Sequence, residues 1–175
     1  MANTTAIGIE AVSFPGFAEL VRANQSRVFS IAYHFLHDRA IAEEIAQDVF
    51  LKLHQALPSF ESETHITAWL CKVTSHRCID YARRRRKYVS IDEIPEPAVG
   101  AAPGDPIMAR RLRRLVASLP PKARIVVVLR YQEDMEPEEI ARVLGWRLNT
   151  VKSQLYRSLT MLRNKLGRSS GEVES

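Results

Sequence analysis

The stretch from Glu138 to Leu166 constrains this chain most. A short helical pattern, Glu138-Glu139-Ile140-Ala141-Arg142-Val143-Leu144, ends at Gly145. A second, longer pattern starts three residues later, at Leu148. That spacing is a helix-turn-helix. Gly145 suits the left-handed residue that ends a helix, and Ala141 is small where two such helices cross. Ile140, Leu144, Val151, Leu155, Leu159, Leu162 and Leu166 recur at helical steps and form one apolar side. The other side of the second helix shows Asn149, Lys152, Ser153, Tyr156 and Arg157. Amides and hydroxyls read base edges, and cations take phosphate or guanine.

Charge strengthens that reading. From Ile107 to Arg168 there are 14 Lys and Arg against 5 Asp and Glu, an excess of 9. An excess that large on so short a segment favours a polyanion partner over a merely solvated helix pair. The whole chain carries +5 on 175 residues. That length allows one ordinary domain or two small helical ones.

The remaining segments read as helices and one linker. Residues 1–16 are polar and unpatterned, a flexible tail. Phe17, Leu20, Val21, Asn24, Val28, Ile31, Ala32 and Phe35 mark an amphipathic helix ending near His37. Asp38 can cap the next helix, whose apolar stripe is Ala42, Ile45, Ala46, Val49, Phe50, Leu53 and Leu57. Pro58 stops it, and Ser59 to His65 is a polar loop around Phe60. Ile66, Trp69, Leu70, Val73 and Tyr81 mark a third helix, which runs into Arg83-Arg84-Arg85-Arg86-Lys87. Residues 89–106 hold Pro95, Pro97, Pro103 and Pro106, four acids and no Lys or Arg. They read as an extended linker. Residues 107–168 are the basic helical segment, and 169–175 a flexible tail. Within that segment Ile125-Val126-Val127-Val128-Leu129 is β-branched and by pattern alone favours a strand. It lacks a strand partner among helices, so a helix is expected.

Leu119-Pro120-Pro121 through Leu129-Arg130-Tyr131, then Glu138-Glu139-Ile140-Ala141, Leu144-Gly145 and Thr150-Val151-Lys152-Ser153, resemble the C-terminal domain of bacterial sigma factors. The extracytoplasmic-function class of the sigma-70 family fits best. Ala42-Glu43-Glu44-Ile45-Ala46-Gln47-Asp48-Val49-Phe50 resembles the segment with which that family grips the clamp helices of RNA polymerase. Glu44, Gln47 and Asp48 lie within one turn beside Ile45 and Val49, a patch suited to a basic partner helix. Trp69-Leu70-Cys71-Lys72-Val73 followed by Asp80-Tyr81-Ala82 and the Arg run resembles the helix that reads the promoter −10 element.

The resemblance spans Phe17 to Leu166 with both halves in order. It implies an all-α fold of two small helical domains, 17–88 and 107–168, joined by the linker, the second a helix-turn-helix. It implies a sigma factor that binds core RNA polymerase and directs promoter-specific initiation. The expected −35 contacts are Arg147, Asn149, Thr150, Lys152, Ser153, Tyr156 and Arg157. The expected −10 contacts are Ser62, Glu63, Thr64, His65, Lys72, His76, Arg77, Arg83 and Arg84, which would hold an extruded base and its phosphates. The expected polymerase contacts are Glu44, Ile45, Gln47, Asp48 and Val49. The resemblance also implies an anti-sigma factor that buries these faces until a signal arrives. The chain departs from the family at His76, where asparagine is common, and at Arg147, where a serine usually caps the recognition helix. Gln154 replaces a common arginine.

Other function classes find little support. No Gly-rich phosphate loop or nucleophile motif is present, so no enzyme and no cofactor are expected. Cys-x4-His-x-Cys, from Cys71 through His76 to Cys78, is not a zinc spacing, and no metal is expected. Seven helical residues separate Cys71 from Cys78 by roughly 10 Å, beyond disulfide reach. Reduced thiols, no signal peptide and no long apolar run imply a cytoplasmic protein without membrane insertion. A free-standing helix-turn-helix regulator binding duplex DNA is the alternative. Gln47-Asp48 and the Arg run argue against it.

Overall fold

A computed structural model of the protein describes residues 16–57, 60–88 and 106–170. Residues 1–15, 58–59, 89–105 and 171–175 lie outside the described residues, and with them the expected stop at Pro58 and all but the last residue of the expected tail (1–16) and linker (89–106). Seven helices follow in order: α1 Phe17–Leu36, α2 Arg39–Ala56, α3 Glu63–Tyr88, α4 Pro106–Ala117, α5 Pro121–Tyr131, α6 Pro137–Leu144 and α7 Leu148–Ser170. No strand occurs among the described residues.

Helices α1, α2 and α3 pack on one another. Each buries a row at three- and four-residue steps, the period that places side chains on one helical face. In α1 the row is Leu20, Asn24, Val28, Ile31, Ala32 and Phe35; in α2 it is Ala42, Ile45, Val49 and Leu53. Buried Asn24 is satisfied: its amide donates to the Leu20 carbonyl at 2.9 Å and its oxygen accepts from the Thr67 hydroxyl at 3.2 Å. Fully buried Thr74 and Ser75 on α3 donate back to the Leu70 and Cys71 carbonyls at 2.7 Å each. These bonds meet the requirement that buried polar groups be paired.

Local chemistry sets the helix ends. His37 closes α1 in the left-handed region at φ 56°. The Asp38 carboxylate accepts from the Ile41 N–H at 3.1 Å and caps α2. The loop expected to reach His65 stops at Ser62, whose hydroxyl accepts from the His65 N–H at 3.2 Å. Glu63, Thr64 and His65 are therefore the first turn of α3, and a serine cap outweighs the polar run. At the other end of the chain α7 runs on to Ser170, past the start of the expected tail at 169.

The C-terminal half is α4 to α7. Pro137 opens α6, and the Glu139 carboxylate returns to the Glu136 N–H at 2.9 Å. Gly145 takes φ +68°, which glycine adopts without the clash that a Cβ brings. Trp146 and Arg147 complete the turn into α7.

Helix α5 lies at the centre of the molecule. It packs against α6 and α7 on one side and against α1 and α3 on the other. Ile125, Val126, Val127, Val128 and Leu129 are consequently all buried, at most 7% exposed. The β-branched run is helical because burial on every side outweighs its weak helix propensity. The two halves thereby share one apolar core, running from Leu20 through Phe35 and Leu70 to Ile125, Ile140 and Val151.

Polar contacts close the seam between the halves. Arg124 of α5 donates from Nη1 to the Phe35 carbonyl at 3.2 Å, and its guanidinium lies 4.9 Å over the Phe35 ring. Arg124 also donates to the Ala117 carbonyl and, at 3.1 Å, to that of Leu119. In the loop between α5 and α6, Glu133 accepts from the Ser30 hydroxyl at 2.7 Å and pairs with Arg27 Nε at 3.3 Å.

His37 lies beside this seam. Burial first, then the positive charges of Arg124, His34 and Arg113, lower its pKa from 6.5 to about 4. Its ring nitrogens are buried without a hydrogen-bond partner. The unfolded chain takes up a proton near 6.5, whereas the fold keeps His37 neutral until about 4. Stability must then fall as pH drops from about 6.5 toward 4. Burial lowers the His34 pKa as well, so it adds to the same slope. Melting temperatures between pH 7.5 and pH 4.5 are expected to fall more steeply for the wild type than for His37→Asn. Parallel curves for the two proteins would remove His37 as the cause.

Candidate nucleic-acid interface

Helix α7 separates its two sides cleanly. Val151, Ser158 and Leu162 are buried, while Leu155 and Leu159 are half-buried. Asn149, Thr150, Lys152, Ser153, Tyr156 and Arg157 are exposed, Tyr156 by 74%. Arg147 is exposed immediately before the helix. All seven residues expected to meet −35 DNA are thus on the open side. Buried Ser158 interrupts the apolar row and bonds back to the Gln154 carbonyl at 2.7 Å. Arg147 does not cap with its side chain; its carbonyl accepts from the Thr150 and Val151 N–H groups at 2.9 and 3.2 Å. Lys152 pairs with Glu138 of α6 at 3.3 Å. Hydrogen bonds from the backbone N–H and from Lys152 lower the Glu138 pKa.

The expected −10 residues do not all meet. Thr64, His65 and Lys72 line a cleft of about 590 Å³ with Trp69, between α3 and the loop and helix α6 of the other half. His65 and Trp69 both stand edge-on to buried Phe60, at 5.3 and 5.5 Å between ring centroids. Ser62 and Glu63 are exposed at the start of α3. Arg83 and Arg84 are exposed near the other end, with Arg83 paired to Asp80. His76 is half-buried between these groups. Arg77 turns toward α2, where it pairs with Asp48.

That pair joins two expected sites. Asp48 stands half exposed on α2, and Glu44 and Gln47 beside it are exposed. Ile45 and Val49 belong to the core instead, 8% and 0% exposed. The α2 surface around Asp48 is therefore polar and acidic, with Ile45 and Val49 facing inward and Leu51 exposed one turn further on. Sequence reasoning had no signal for the Asp48–Arg77 pair, because 29 residues and a helix boundary separate its members. It also missed Arg27 and Ser30, which meet Glu133 across 103 residues. A faint signal is available: Glu133 and Asp134 open the one acidic run, five acids through Glu139, in a basic segment.

The thiols are inert. Cys71 and Cys78 are free and buried, and burial raises both pKa values, that of Cys71 to about 11. Among the described residues no group of three or more His, Cys, Asp or Glu is placed to hold a metal ion. No described helix is long and apolar enough to cross a membrane.

A helix-turn-helix with an open polar face, set beside a second helical unit with its own cationic helix, defines a DNA-binding protein of two parts. Comparisons with known proteins fix the family. Residues 20–88 match the model of sigma-70 region 2, and residues 109–162 that of sigma-70 region 4. The RNA polymerase sigma-E factor of Streptomyces coelicolor is 30% identical over 86% of this chain and 85% of its own length. The extracytoplasmic-function sigma factor SigE of Mycolicibacterium smegmatis is 30% identical over 94% of this chain, which spans 66% of that relative. Among solved structures, the sigma factor RpoE of Bartonella quintana, in complex with the anti-sigma factor NepR, superposes with a TM-score of 0.70. It is 20% identical, with 86% of this chain and 96% of that one covered. CnrH in complex with the cytosolic domain of CnrY gives a TM-score of 0.65 at 22% identity, covering 91% of this chain and 89% of that one.

The chain belongs to the extracytoplasmic-function class of the sigma-70 family of RNA polymerase sigma factors. Its function is to bind core RNA polymerase and promoter DNA through regions 2 and 4.

Proposed function

We propose that the three functions divide by helix. The acidic face of α2, with Glu44, Gln47 and Asp48, docks on basic groups of the polymerase. Helix α3 holds the −10 strand through Thr64, His65, Lys72 and the exposed Arg83 and Arg84. Helix α7 enters the −35 major groove with Asn149, Thr150, Ser153 and Gln154 toward base edges and Arg147, Lys152 and Arg157 toward phosphates. The observation that carries this reading is the one-sided exposure of α7. Its polar residues are presented as a row while Val151, Ser158 and Leu162 fix the helix from behind. The protein works in the cytoplasm, where promoter DNA is found. An inhibitory protein partner is part of the proposal, supported by the two solved relatives captured with NepR and with CnrY.

Lys152 offers the sharpest test of the docking. It must exchange Glu138 for a phosphate, so its loss removes one counterion-releasing contact. The holoenzyme reconstituted from the chain and core polymerase would first select its promoter from a random-sequence pool. On that promoter, Lys152→Ala is expected to lower the slope of log affinity against log salt by about 0.9. Weakening should be similar across promoter variants, because a phosphate contact carries no base preference. An unchanged slope for both Lys152→Ala and Arg157→Ala would exclude this orientation of α7.

A further inference from the structure

The carboxylate of Glu133 is only 8% exposed, yet it lies in a loop between two helices. It crosses the seam to Ser30 and Arg27 on α1. The loop aims it firmly. Asp134 holds a left-handed backbone at φ 52°, a conformation that non-glycine residues rarely adopt. The Met135 N–H is tied to the Leu129 carbonyl at 3.1 Å, and its side chain packs on the shared core. Arg27 is about half exposed and lines the same cleft as His65, Trp69 and Lys72. The N-terminal side of the cleft is thus cationic with a tryptophan, the equipment of a single-strand site with phosphate on the cations and a base on the ring, while Glu133, Asp134 and Glu139 face it from the C-terminal half.

We infer that Arg27 is a phosphate contact of the −10 single strand, and that Glu133 occupies its place in this structure as a carboxylate standing where a phosphodiester would bind. This rests on the −10 reading of α3 proposed above. Carboxylate and phosphate compete for one guanidinium because both accept its N–H donors. The Ser30 hydroxyl completes the anion site, donating to whichever anion is present. Glu44 and Gln47 on α2 and the polar row on α7 remain exposed in the same structure. The closed chain therefore presents its polymerase and −35 surfaces while the C-terminal half walls off one side of the −10 cleft and pairs its Arg27. Separation of the halves withdraws Glu133 and admits the strand.

The test uses the full chain and a fluorescein-labelled, mixed-sequence 20-nucleotide single strand, with anisotropy followed against NaCl. Glu133→Gln keeps the shape and removes the competing charge, so binding is expected to tighten about tenfold. Ser30→Ala loosens the same carboxylate without touching the loop, and a smaller tightening is expected. In the Glu133→Gln background, Arg27→Ala should abolish the gain and lower the salt slope by about 0.7, the value for one single-strand phosphate. Lys72→Ala in that background should lower the slope by a similar amount. A purely structural Glu133 would give lower melting temperatures without tighter binding, and that result overturns the inference. So does an Arg27→Ala slope equal to its parent's while Lys72→Ala still lowers it; the −10 reading of α3 then stands alone. If neither substitution moves the slope, both the inference and the −10 reading fail.

Discussion

Asp48→Lys is expected to reduce affinity for core RNA polymerase by two orders of magnitude or more. On the proposed docking, Asp48 faces basic groups, and reversing its charge replaces attraction with like-charge repulsion worth several kcal/mol. Each 1.4 kcal/mol is about tenfold in affinity. The structure adds a complication, because Asp48 already pairs with Arg77. Reversal places two cations side by side, so some loss of stability is expected. The loss should be modest, since partly exposed ion pairs contribute about 0–1 kcal/mol. Arg77→Ala separates the two effects. It breaks the same internal pair but leaves the carboxylate for the polymerase. Core binding should largely survive Arg77→Ala and collapse in Asp48→Lys, with helicity retained in both. Wild-type recovery of core polymerase by Asp48→Lys would end the case for α2 as the docking face.

The second large effect concerns Phe35. Its side chain is fully buried and lies under the Arg124 guanidinium at the seam. Phe35→Ala should cost about 3–5 kcal/mol through lost transfer energy and a residual cavity. That is a large share of the 5–15 kcal/mol typical of a folded domain. At about 2–4 °C per kcal/mol for a chain of this size, melting should fall by about 6–20 °C. The chain has two tryptophans, Trp69 in the N-terminal half and Trp146 in the C-terminal half. Each can report alone after the other is changed to Phe. Because Arg124 packs on Phe35 from the opposite half, both reporters should shift together. A shift at Trp69 with none at Trp146 would mean that the halves unfold independently.

These two residues also show what was legible in the sequence. Phe35 falls in the amphipathic row of α1, so its burial follows from periodicity. That it also supports Arg124, 89 residues away, does not. The helix-turn-helix was readable for the same reason as the α1 row: its spacing, its glycine and its one-sided polarity are all local. Ile125–Leu129 was legible as apolar but ambiguous in form, because a helix buried on every side has no polar face to reveal its period. Tertiary charge pairing leaves almost no local signal. Sequence alone puts Asp48 on the polymerase patch and Arg77 among the −10 contacts, because their meeting depends on how α2 and α3 pack. Likeness to the family alone puts Ile45 and Val49 on the polymerase side, whereas their own three- and four-residue steps put them in the core.

Helix α5 has a consequence for how the protein is made. Ribosomal synthesis delivers the first three helices before any residue that covers their seam face. At about 5–20 residues per second, the stretch from Tyr88 to Tyr131 takes about two to nine seconds to appear. During that interval the nascent N-terminal half carries bare the apolar surface that α5 later occupies. A chain stalled before Leu129 would keep that surface open and be a substrate for holdases and proteases. The same helix thus makes the completeness of the chain a condition for concealing its first half, and truncated products identify themselves by what they leave uncovered.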